Sequence, residues 1–207
     1  MSKLVLATRN KHKIEEIKTI LGDLPLEILT LSDFPDCPPL VEDGATMEEN
    51  SLMKALAVHR FTTLPSLADD SGLEVFYLRG RPGVRSARYA GENATDEENN
   101  EKLLKEMRGV APRRRSAQFR AVLTLAGEGF QEITEGVCRG RLAESPRGTN
   151  GFGYDPIFLP EEFVRTYAEL SSEEKNKISH RAKALEKMRR VLKGLAMTLS
   201  SPIRNPA

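Results

Sequence analysis

The chain begins with a short apolar run and continues with apolar residues at helical spacing. This succession of a strand pattern and a helix pattern limits the fold more than any other feature of the sequence. Residues 3–7 form a short apolar run, which predicts a buried strand. Asn10 then suits a helix N-cap, apolar residues follow at helical spacing, and Gly22 predicts the end of that helix. A second strand is predicted at residues 26–31. The sequence therefore predicts a mixed α/β fold that starts with parallel strands.

The centre of the chain predicts antiparallel strands instead. Between residues 119 and 125 apolar residues alternate with more polar ones, and Gly127-Glu128-Gly129 is a suitable hairpin turn onto a strand at 130–137. Two more strands are predicted at 66–69 and 73–78, separated by a turn at Asp70-Ser71-Gly72.

Three residue pairs have the capping-box pattern that marks a helix start: Thr46 with Glu49, Thr95 with Glu98, and Ser171 with Glu174. They predict a helix from residue 46 to about residue 61, a helix that includes residues 103–107, and a helix that ends at about residue 195. The stretch 197–207 lacks periodicity. We therefore expect a single domain over residues 1–196 and a disordered tail over residues 197–207.

Charge and composition exclude several classes of protein. The 31 basic and 30 acidic side chains leave a formal net charge of +1, which gives no general attraction to nucleic acid or to anionic lipid. The apolar runs are shorter than the roughly 20 residues that span a bilayer, and the first residues contain no signal-peptide core. Cys37 and Cys138 have no metal-ligand spacing and do not predict a disulfide framework. We expect a cytoplasmic protein that binds neither nucleic acid nor membrane.

The segment from Thr8 to Lys13 lies between the first predicted strand and the first predicted helix. The start of a helix presents free N–H groups and a partial positive charge, which suits a phosphate group. The glycines of a P-loop are missing, so the side chains of Thr8, Asn10 and Lys13 would hold the phosphate with help from the backbone. A capped and solvated helix start is the alternative.

Acidic residues form a second candidate site: Glu42, Asp43, Glu48, Glu49, Asp69 and Asp70. One or two carboxylates, together with phosphate oxygens and water, are typical ligands of a Mg²⁺ ion that arrives with a triphosphate. Asp69-Asp70-Ser71-Gly72 lies where a predicted strand ends, which is where ligands bind in open α/β sheets. Successive strand side chains point to opposite faces, so the two aspartates should have different roles. A capping box for Glu49 and a plain turn for Asp-Asp-Ser-Gly are the alternatives.

Two further segments could surround a ligand. In Gly151-Phe152-Gly153-Tyr154-Asp155-Pro156 the glycines allow close backbone approach, and the Phe152 ring offers a stacking surface for a base. A plain Gly-rich loop is the alternative there. On the last predicted helix, Lys175 could donate to phosphate and Arg181 to the keto oxygens of a base, with a solvated basic face as the alternative.

Taken together and in this order, the segments resemble the inosine triphosphate pyrophosphatase family, whose members act on noncanonical purine nucleoside triphosphates. The resemblance covers about residues 3–194 and is carried by Thr8–Lys13, Glu49-Asn50, Lys54-Ala55, Ala68–Leu73, Ser86–Gly91, Gly151–Phe158, Glu173–Asn176 and Ser179-His180-Arg181. Two positions depart from the family pattern. Arg9 stands where glycine is common, and Ser51 replaces a frequent alanine.

The resemblance implies an α/β fold with a long mixed central sheet flanked by helices, and two lobes with the active-site cleft between them. It also implies a homodimer, dependence on Mg²⁺, and hydrolysis of ITP, dITP and XTP to the monophosphate and pyrophosphate. Asp70 is implied as general base and metal ligand, with Glu42 as a second metal ligand and Glu49 as a further candidate. Phosphate or ribose would contact Thr8, Arg9, Asn10, Lys11, His12, Lys13, Ser71 and Lys175. The base would lie among Phe152, Gly153, Tyr154, Asp155, His180 and Arg181.

From these residues we expect water to attack the α-phosphorus with help from Asp70 while pyrophosphate leaves. Arg181 carries only hydrogen-bond donors, so it should favour a 6-keto purine over the 6-amino group of adenine. Two alternatives stay open. One is a pyrophosphatase for pyrimidine or other modified nucleoside triphosphates, and the other is a non-catalytic nucleotide- or RNA-binding module built on Arg113–Arg115 and the basic last helix.

Overall fold

Strands and helices form most of the part of the chain that the structure describes. The computed structural model describes residues 2–199, with side chains for residues 2–194. The strands are β1 (Ser2–Leu6), β2 (Leu26–Thr30), β3 (Ser66–Val75), β4 (Ser116–Gly127), β5 (Phe130–Leu142) and β6 (Phe158–Pro160). The helices are α1 (Lys11–Leu21), α2 (Met47–Thr62), α3 (Asp96–Glu106), α4 (Ser172–Ile178) and α5 (His180–Leu199), and short 3-10 turns connect several of these elements.

The strands form a mixed sheet. In the described residues the order of the six strands is β2-β1-β3-β4-β5-β6. β1 pairs in parallel with β2 and β3, whereas β3, β4, β5 and β6 pair in turn as antiparallel neighbours. The predicted parallel start, antiparallel centre and mixed α/β class are therefore confirmed.

Buried apolar side chains form three clusters around this sheet. Helices α1 and α5 cover one face, where Leu185 packs with Leu123 of β4. Helix α2 covers the other face, where Val58 packs with Ala68 of β3. A third cluster lies around α3 and includes Phe158 of β6. Because neighbouring strand residues point to opposite faces, β3 and β4 contribute to all three clusters.

β3 is one continuous strand, so the predicted turn at Asp70-Ser71-Gly72 is wrong. Every residue from Ser66 to Val75 has a partner in β4, and Asp70 lies opposite Val122. Gly72 permits close packing here, because a Cβ at this position would collide with the carbonyl oxygen of Gly83. Pairing with β4 therefore holds a turn-like sequence in an extended conformation, since tertiary contacts outweigh local preference.

The sheet opens where β1 ends. β1 pairs with β3 only through Val5 and Leu6, opposite Ser66 and Leu67, while β3 continues to Val75. The edge of β3 beyond Leu67 therefore faces the segment that follows β1. A strand does end next to the predicted acidic site, but it is β1 and not β3.

The last predicted helix is two helices. α4 ends at Ile178, and Ser179 has extended backbone angles (φ −67°, ψ 157°) before α5 begins. The Ser179 N–H donates to the Lys175 carbonyl oxygen at 2.9 Å, and its Oγ accepts the N–H of Ala182 at 3.1 Å. Ser179 therefore closes α4 and caps α5. α5 continues to Leu199, so the predicted tail does not begin at residue 197, and residues 200–207 lie outside the described part of the chain.

The predicted helix starts agree with the structure. Thr95 and Ser171 form complete capping boxes with the glutamates three residues later. Thr46 Oγ1 accepts the N–H of Glu49 at 3.1 Å, but the Glu49 carboxylate accepts the N–H of Ala45 instead of completing the box. Local sequence therefore places these helix starts correctly, with one difference in hydrogen bonding.

Cys37 and Cys138 are buried and unpaired. None of the helices in residues 2–199 is long and apolar enough to cross a membrane.

Candidate active site

A cavity of about 460 Å³ lies where β1 ends beside β3. Its wall combines segments from the whole length of the fold. The lining residues are Ala7, Thr8, Arg9, Asn10, Lys13, Pro39, Leu40, Glu42, Lys54, Asp70, Ser71, Gly72, Val84, Ser86, Ala87, Arg88, Asp96, Phe119, Phe152, Gly153, Tyr154, Asp155, Lys175, His180 and Arg181. Most of the site residues predicted from the sequence are therefore brought together in one wall.

Of the residues to which the family resemblance gives a role, Lys11, His12 and Glu49 lie outside this wall. Asp43, Glu48 and Asp69 of the acidic candidate group lie outside it as well. Lys11 and Glu49 are exposed, and the Glu49 carboxylate accepts the N–H of Ala45 at 2.7 Å. His12 lies beside the wall, where its ring stacks on that of Phe152. These positions do not support direct contact of Lys11, His12 and Glu49 with a molecule in the cavity.

The segment after β1 presents Thr8, Arg9, Asn10 and Lys13 to the cavity at the start of α1. Asn10 Oδ1 accepts the N–H of Lys13 at 3.1 Å, which confirms the predicted N-cap. Arg9 Nη2 donates to the carbonyl oxygen of Cys37 at 3.0 Å. The arginine at this position therefore ties the segment after β1 to the loop that leads to Glu42.

Asp69 and Asp70 point to opposite faces of β3, as strand alternation predicts. The Asp69 side chain is fully buried, and its carboxylate lies 2.6 Å from Lys13 Nζ and 2.8 Å from Arg181 Nε. Burial acts to raise the pKa of Asp69, but the charges of Arg181 and Lys13 outweigh it and hold the pKa well below its usual range. Asp69 is therefore an ionised, internal partner for two cations.

Arg181 lies at the centre of this buried charge network. Only 1% of its side chain is exposed, and its guanidinium donates to Asp69, to Glu16 and, at 2.9 Å, to Ser71 Oγ. The neighbouring cation Lys175 is also buried and donates to Glu16 Oε1 at 2.9 Å. The solvated basic face that the sequence left open is therefore wrong for Arg181 and Lys175.

Asp155 extends the network to the loop between β5 and β6. Its Oδ2 accepts from Lys175 Nζ at 2.6 Å and from the backbone N–H of Phe152 at 2.9 Å. Burial raises the pKa of Asp155, and the charge of Lys175 opposes this shift without cancelling it. Because Asp155 accepts the Phe152 N–H, the buried charge network also positions the Gly-Phe-Gly segment.

Asp70 lies on the α2 side of β3 and lines the cavity. Its Oδ1 lies 3.1 Å from Lys54 Nζ, and the same ammonium lies 2.6 Å from Glu42 Oε1. Burial raises the pKa of Asp70, while the charges of Lys54 and Lys13 only partly oppose it. Asp70 therefore accepts a proton more readily than an ordinary aspartate does.

Lys54 was not among the site residues predicted from the sequence, although it belongs to one of the family segments. It is 3% exposed on the inner side of α2, and Asn50, one turn earlier, donates to Asp70 Oδ2 at 3.4 Å. Burial acts to lower the pKa of Lys54, but the charges of Asp70 and Glu42 outweigh it and raise the pKa. The available sequence signal was the helical spacing of Lys54, which lies three residues after Ser51 and four before Val58, on the face of α2 that is buried against the sheet. A charge on such a face needs a partner.

Aromatic side chains form another part of the wall. The rings of Phe119 and His180 stack with centroids 4.7 Å apart and planes 9° apart, and Phe152 and Tyr154 also line the cavity. Burial, with the nearby charges of Arg181 and Lys175, lowers the pKa of His180 well below its usual range, so the ring is neutral at pH 7. Its Nδ1 is buried and has no hydrogen-bond partner among the described residues. This part of the cavity suits a flat ring with a polar edge.

Asp96 and Arg88 are wall residues that the sequence reasoning did not assign to the site, because each acts through the backbone of another segment. Asp96 Oδ2 accepts the N–H of Gly153 at 2.6 Å. Arg88 Nη2 donates to the carbonyl oxygen of Glu42 at 2.9 Å. The predicted residue Tyr154 is held in a similar way, since its hydroxyl donates to the carbonyl oxygen of Ser86 at 2.9 Å. Contacts of this kind join segments that are distant in sequence, so local spacing contains no signal for them.

In the basic run Arg113–Arg115, the last two arginines make structural contacts within the fold. Arg115 is buried, and its guanidinium donates to the carbonyl oxygens of Met107, Leu142 and Ala143. Arg114 lies over the ring of Tyr77, 4.6 Å from its centroid. These contacts remove Arg115 from the RNA-binding surface that was the alternative from the sequence, whereas Arg113 and Arg114 are exposed.

Comparisons with known proteins agree on one family. A model of the Ham1 family (Ham1p_like) matches residues 4–191. The dITP/XTP pyrophosphatase of Geobacter sulfurreducens is 53% identical over 186 residues, which cover 89% of this chain and 94% of that protein. The dITP/XTP pyrophosphatase of Geobacillus kaustophilus is 48% identical over 189 residues, which cover 91% and 93%.

Solved structures give the same result for the fold. The structure of a HAM1 protein from Coxiella burnetii superposes with a TM-score of 0.86 at 43% identity, covering 94% of this chain and all of that one. The Staphylococcus aureus Ham1 protein gives a TM-score of 0.84 at 39% identity, with the same coverage.

Asparagine in place of Asp69 should remove the carboxylate that Arg181 and Lys13 share. Breaking a buried ion pair in this way costs about 3–5 kcal/mol, so the free energy of unfolding, measured by urea denaturation at pH 7, should fall by that amount. Folding lowers the pKa of Asp69. The ionised carboxylate therefore contributes fully to stability above its unfolded pKa of about 3.9, and this contribution is lost as the pH falls from there through the folded pKa. The difference in the free energy of unfolding between the native protein and Asp69→Asn should therefore become smaller at acidic pH.

Asp70→Asn is the matched control for this measurement. Burial raises the pKa of Asp70, so its ionised form opposes folding above the unfolded pKa, and a neutral amide should be at least as well tolerated. Equal losses of stability in the two variants, or no loss in Asp69→Asn, would contradict the different roles assigned to the two aspartates.

Proposed function

The chain belongs to the Ham1 family, and from this we propose that it is a nucleoside triphosphate pyrophosphatase that hydrolyses noncanonical purine nucleotides such as ITP, dITP and XTP to the monophosphate and pyrophosphate. The names and high identity of the relatives support the reaction and the substrate class. The observation that carries the proposal is the cavity itself, in which the Asp70–Lys54 pair and an aromatic slot with a neutral His180 share one wall. The homodimer and the cytoplasmic location expected from the sequence stay predictions.

The triphosphate would lie along the cationic side of the cavity. Lys13 and Lys54 line it there, and the N-terminus of the 11-residue helix α1 adds free N–H groups and a partial positive charge. Thr8 and Asn10 add polar side chains at the same helix end. A polyanion would therefore find several donors without a P-loop.

Asp70 would accept the proton of the attacking water. The water oxygen bonds to the α-phosphorus, its proton passes to an Asp70 carboxylate oxygen, and the bond to the bridging oxygen breaks so that pyrophosphate leaves with the electron pair. The raised pKa of Asp70 makes it a stronger base than an ordinary aspartate. The hydrogen bond from Lys54 to Oδ1 fixes the direction of the carboxylate. Among the described residues, Oδ2 has only the long contact from Asn50 at 3.4 Å.

The donor set of the cavity fits a magnesium ion bound with the substrate. Asp70 and Glu42 converge on one point, since both carboxylates now reach the same cation, the Lys54 ammonium. Mg²⁺ prefers oxygen ligands and is usually held by one or two carboxylates plus phosphate oxygens and water, so these two residues would hold it. When bound, the ion would offset negative charge on the phosphate oxygens and lower the pKa of a bound water. In the described residues no cluster of three or more acidic, histidine or cysteine side chains forms a complete cage.

Selectivity for a 6-keto purine would depend on donors in the base slot. An arginine has five N–H donors, and the contacts of Arg181 with Asp69, Glu16 and Ser71 use four of them, two on Nη2 and one each on Nε and Nη1. One Nη1 donor is left for a keto oxygen, and the neutral His180 ring can supply another donor or an acceptor. An adenine amino group in the same place would leave these donors unpaired. Arg181 therefore has a structural role in addition to the recognition role expected from the sequence.

A substrate panel tests the proposed function. Initial rates of pyrophosphate release should be highest with ITP, dITP and XTP, should be about 5–150-fold lower in kcat/KM with ATP because of the mispaired donor, and should require Mg²⁺. The triphosphate of purine riboside, which lacks any 6-substituent, should fall between ITP and ATP, since it removes the acceptor without adding a donor. This comparison avoids Arg181→Ala, which would also deprive Asp69 and Glu16 of their partner. A preference for pyrimidine triphosphates, or binding without turnover, would overturn the proposal.

Asp70→Asn tests the assigned base. Loss of a general base typically lowers kcat by about 10²–10⁴-fold, and KM for ITP should change much less, because the amide keeps the shape of the side chain. The native enzyme needs Asp70 ionised, and kcat/KM reports the ionisation of the free enzyme. Its kcat/KM should therefore rise with pH through the raised pKa of Asp70 and then level off. The residual activity of the variant should lack this rise. An unaltered kcat, or a pH profile identical to that of the native enzyme, would show that another group takes the proton.

A further inference from the structure

His12 is a predicted phosphate ligand that does not contribute to the cavity wall. It lies in the first turn of α1, and its exposed ring stacks on Phe152 with centroids 5.0 Å apart and planes 8° apart. Phe152 lines the cavity and His12 does not. The His12 ring therefore covers one face of the Phe152 ring from outside the cavity wall.

The backbone on both sides of the Phe152 ring is fixed by other residues. The Phe152 N–H donates to Asp155 Oδ2 at 2.9 Å, and the next N–H, that of Gly153, donates to Asp96 Oδ2 at 2.6 Å. Asn100 Nδ2 donates to the Gly153 carbonyl oxygen at 2.8 Å. These bonds hold the main chain, but rotation of the ring about its side-chain bonds needs a further contact.

Two cations of the cavity wall lie close to the same ring. Lys175 Nζ is 4.8 Å and Arg181 Cζ is 5.7 Å from the centroid of Phe152. Both cations are held by buried carboxylates, so they cannot follow the ring if it turns. The orientation of the Phe152 ring therefore depends on these cations and on the stack with His12, and His12 is the contact among them that lies outside the cavity wall.

We propose that His12 is a positioning residue, which holds the Phe152 ring in the orientation that an incoming purine needs, and that it acts through this stack and not through contact with phosphate. The inference rests on the proposed function, because it assumes a purine substrate. A stacked aromatic pair contributes free energy that corresponds to roughly a 2- to 12-fold change in an equilibrium constant. The base would contact Phe152 in both the bound substrate and the transition state, so loss of the stack should raise KM and leave kcat unchanged.

The experiment compares His12→Ala and His12→Phe with the native enzyme. Steady-state kinetics with ITP give KM and kcat, and inhibition by tripolyphosphate, which has no base, gives the affinity of the phosphate side alone. His12→Ala should raise KM for ITP by about 2- to 12-fold with the tripolyphosphate inhibition constant unchanged, and His12→Phe should restore KM because it keeps an aromatic ring. Glu15→Ala is the matched control, since Glu15 is exposed on the same helix and outside the cavity wall.

Each outcome separates this inference from the proposed function. If the native enzyme does not hydrolyse ITP, the proposed function fails. If it does, and His12→Ala has a native KM, or His12→Phe is as impaired as His12→Ala, the positioning role is wrong. A weaker affinity for tripolyphosphate in both His12 variants would instead assign His12 to phosphate binding.

Discussion

The buried ion pair between Asp69 and Arg181 is the interaction on which the rest of the site depends. Removing two charges from water costs several kcal/mol for each ion, and the cost is offset only when nearly every donor and acceptor finds a partner. Here the carboxylate has both Lys13 and Arg181, and the guanidinium also reaches Glu16 and Ser71. These contacts join β3 to α1 and α5, which are far apart in the sequence. The positions of β3, α1 and α5 relative to one another, and therefore the shape of the cavity, depend on these contacts.

The alternation of a β-strand separates this network from the chemistry. Asp69 faces α1 and α5 and is held ionised, whereas Asp70 faces α2 and has a raised pKa with Lys54 as its main partner. Two adjacent residues of one type therefore have different protonation behaviour, because their surroundings differ on the two faces of β3. The strand must be continuous for this separation, since a turn at residues 70–72 would not keep the two carboxylates on opposite faces.

Sequence reasoning predicted the elements that depend on local chemistry. Asn10, Thr95 and Ser171 cap helices as expected, and the alternation around Leu123 gave the central hairpin. It failed where tertiary contacts outweigh local preference. The turn-like residues after Asp69 are kept extended by β4, and the helix break at Ser179 was missed although serine is a common N-cap. The role of Lys54 could not be derived from spacing, because its partners Glu42 and Asp70 come from other segments.

The most direct test of the shared cavity is a crystal structure of the Asp70→Asn variant with ITP and Mg²⁺, since this variant should bind the substrate and hydrolyse it only slowly. We predict the hypoxanthine ring on the cavity face of Phe152, the α-phosphorus beside the side chain at position 70, and the metal next to Glu42. A nucleotide bound outside this cavity, or bound in the reverse direction with its base beside Lys54, would contradict the arrangement.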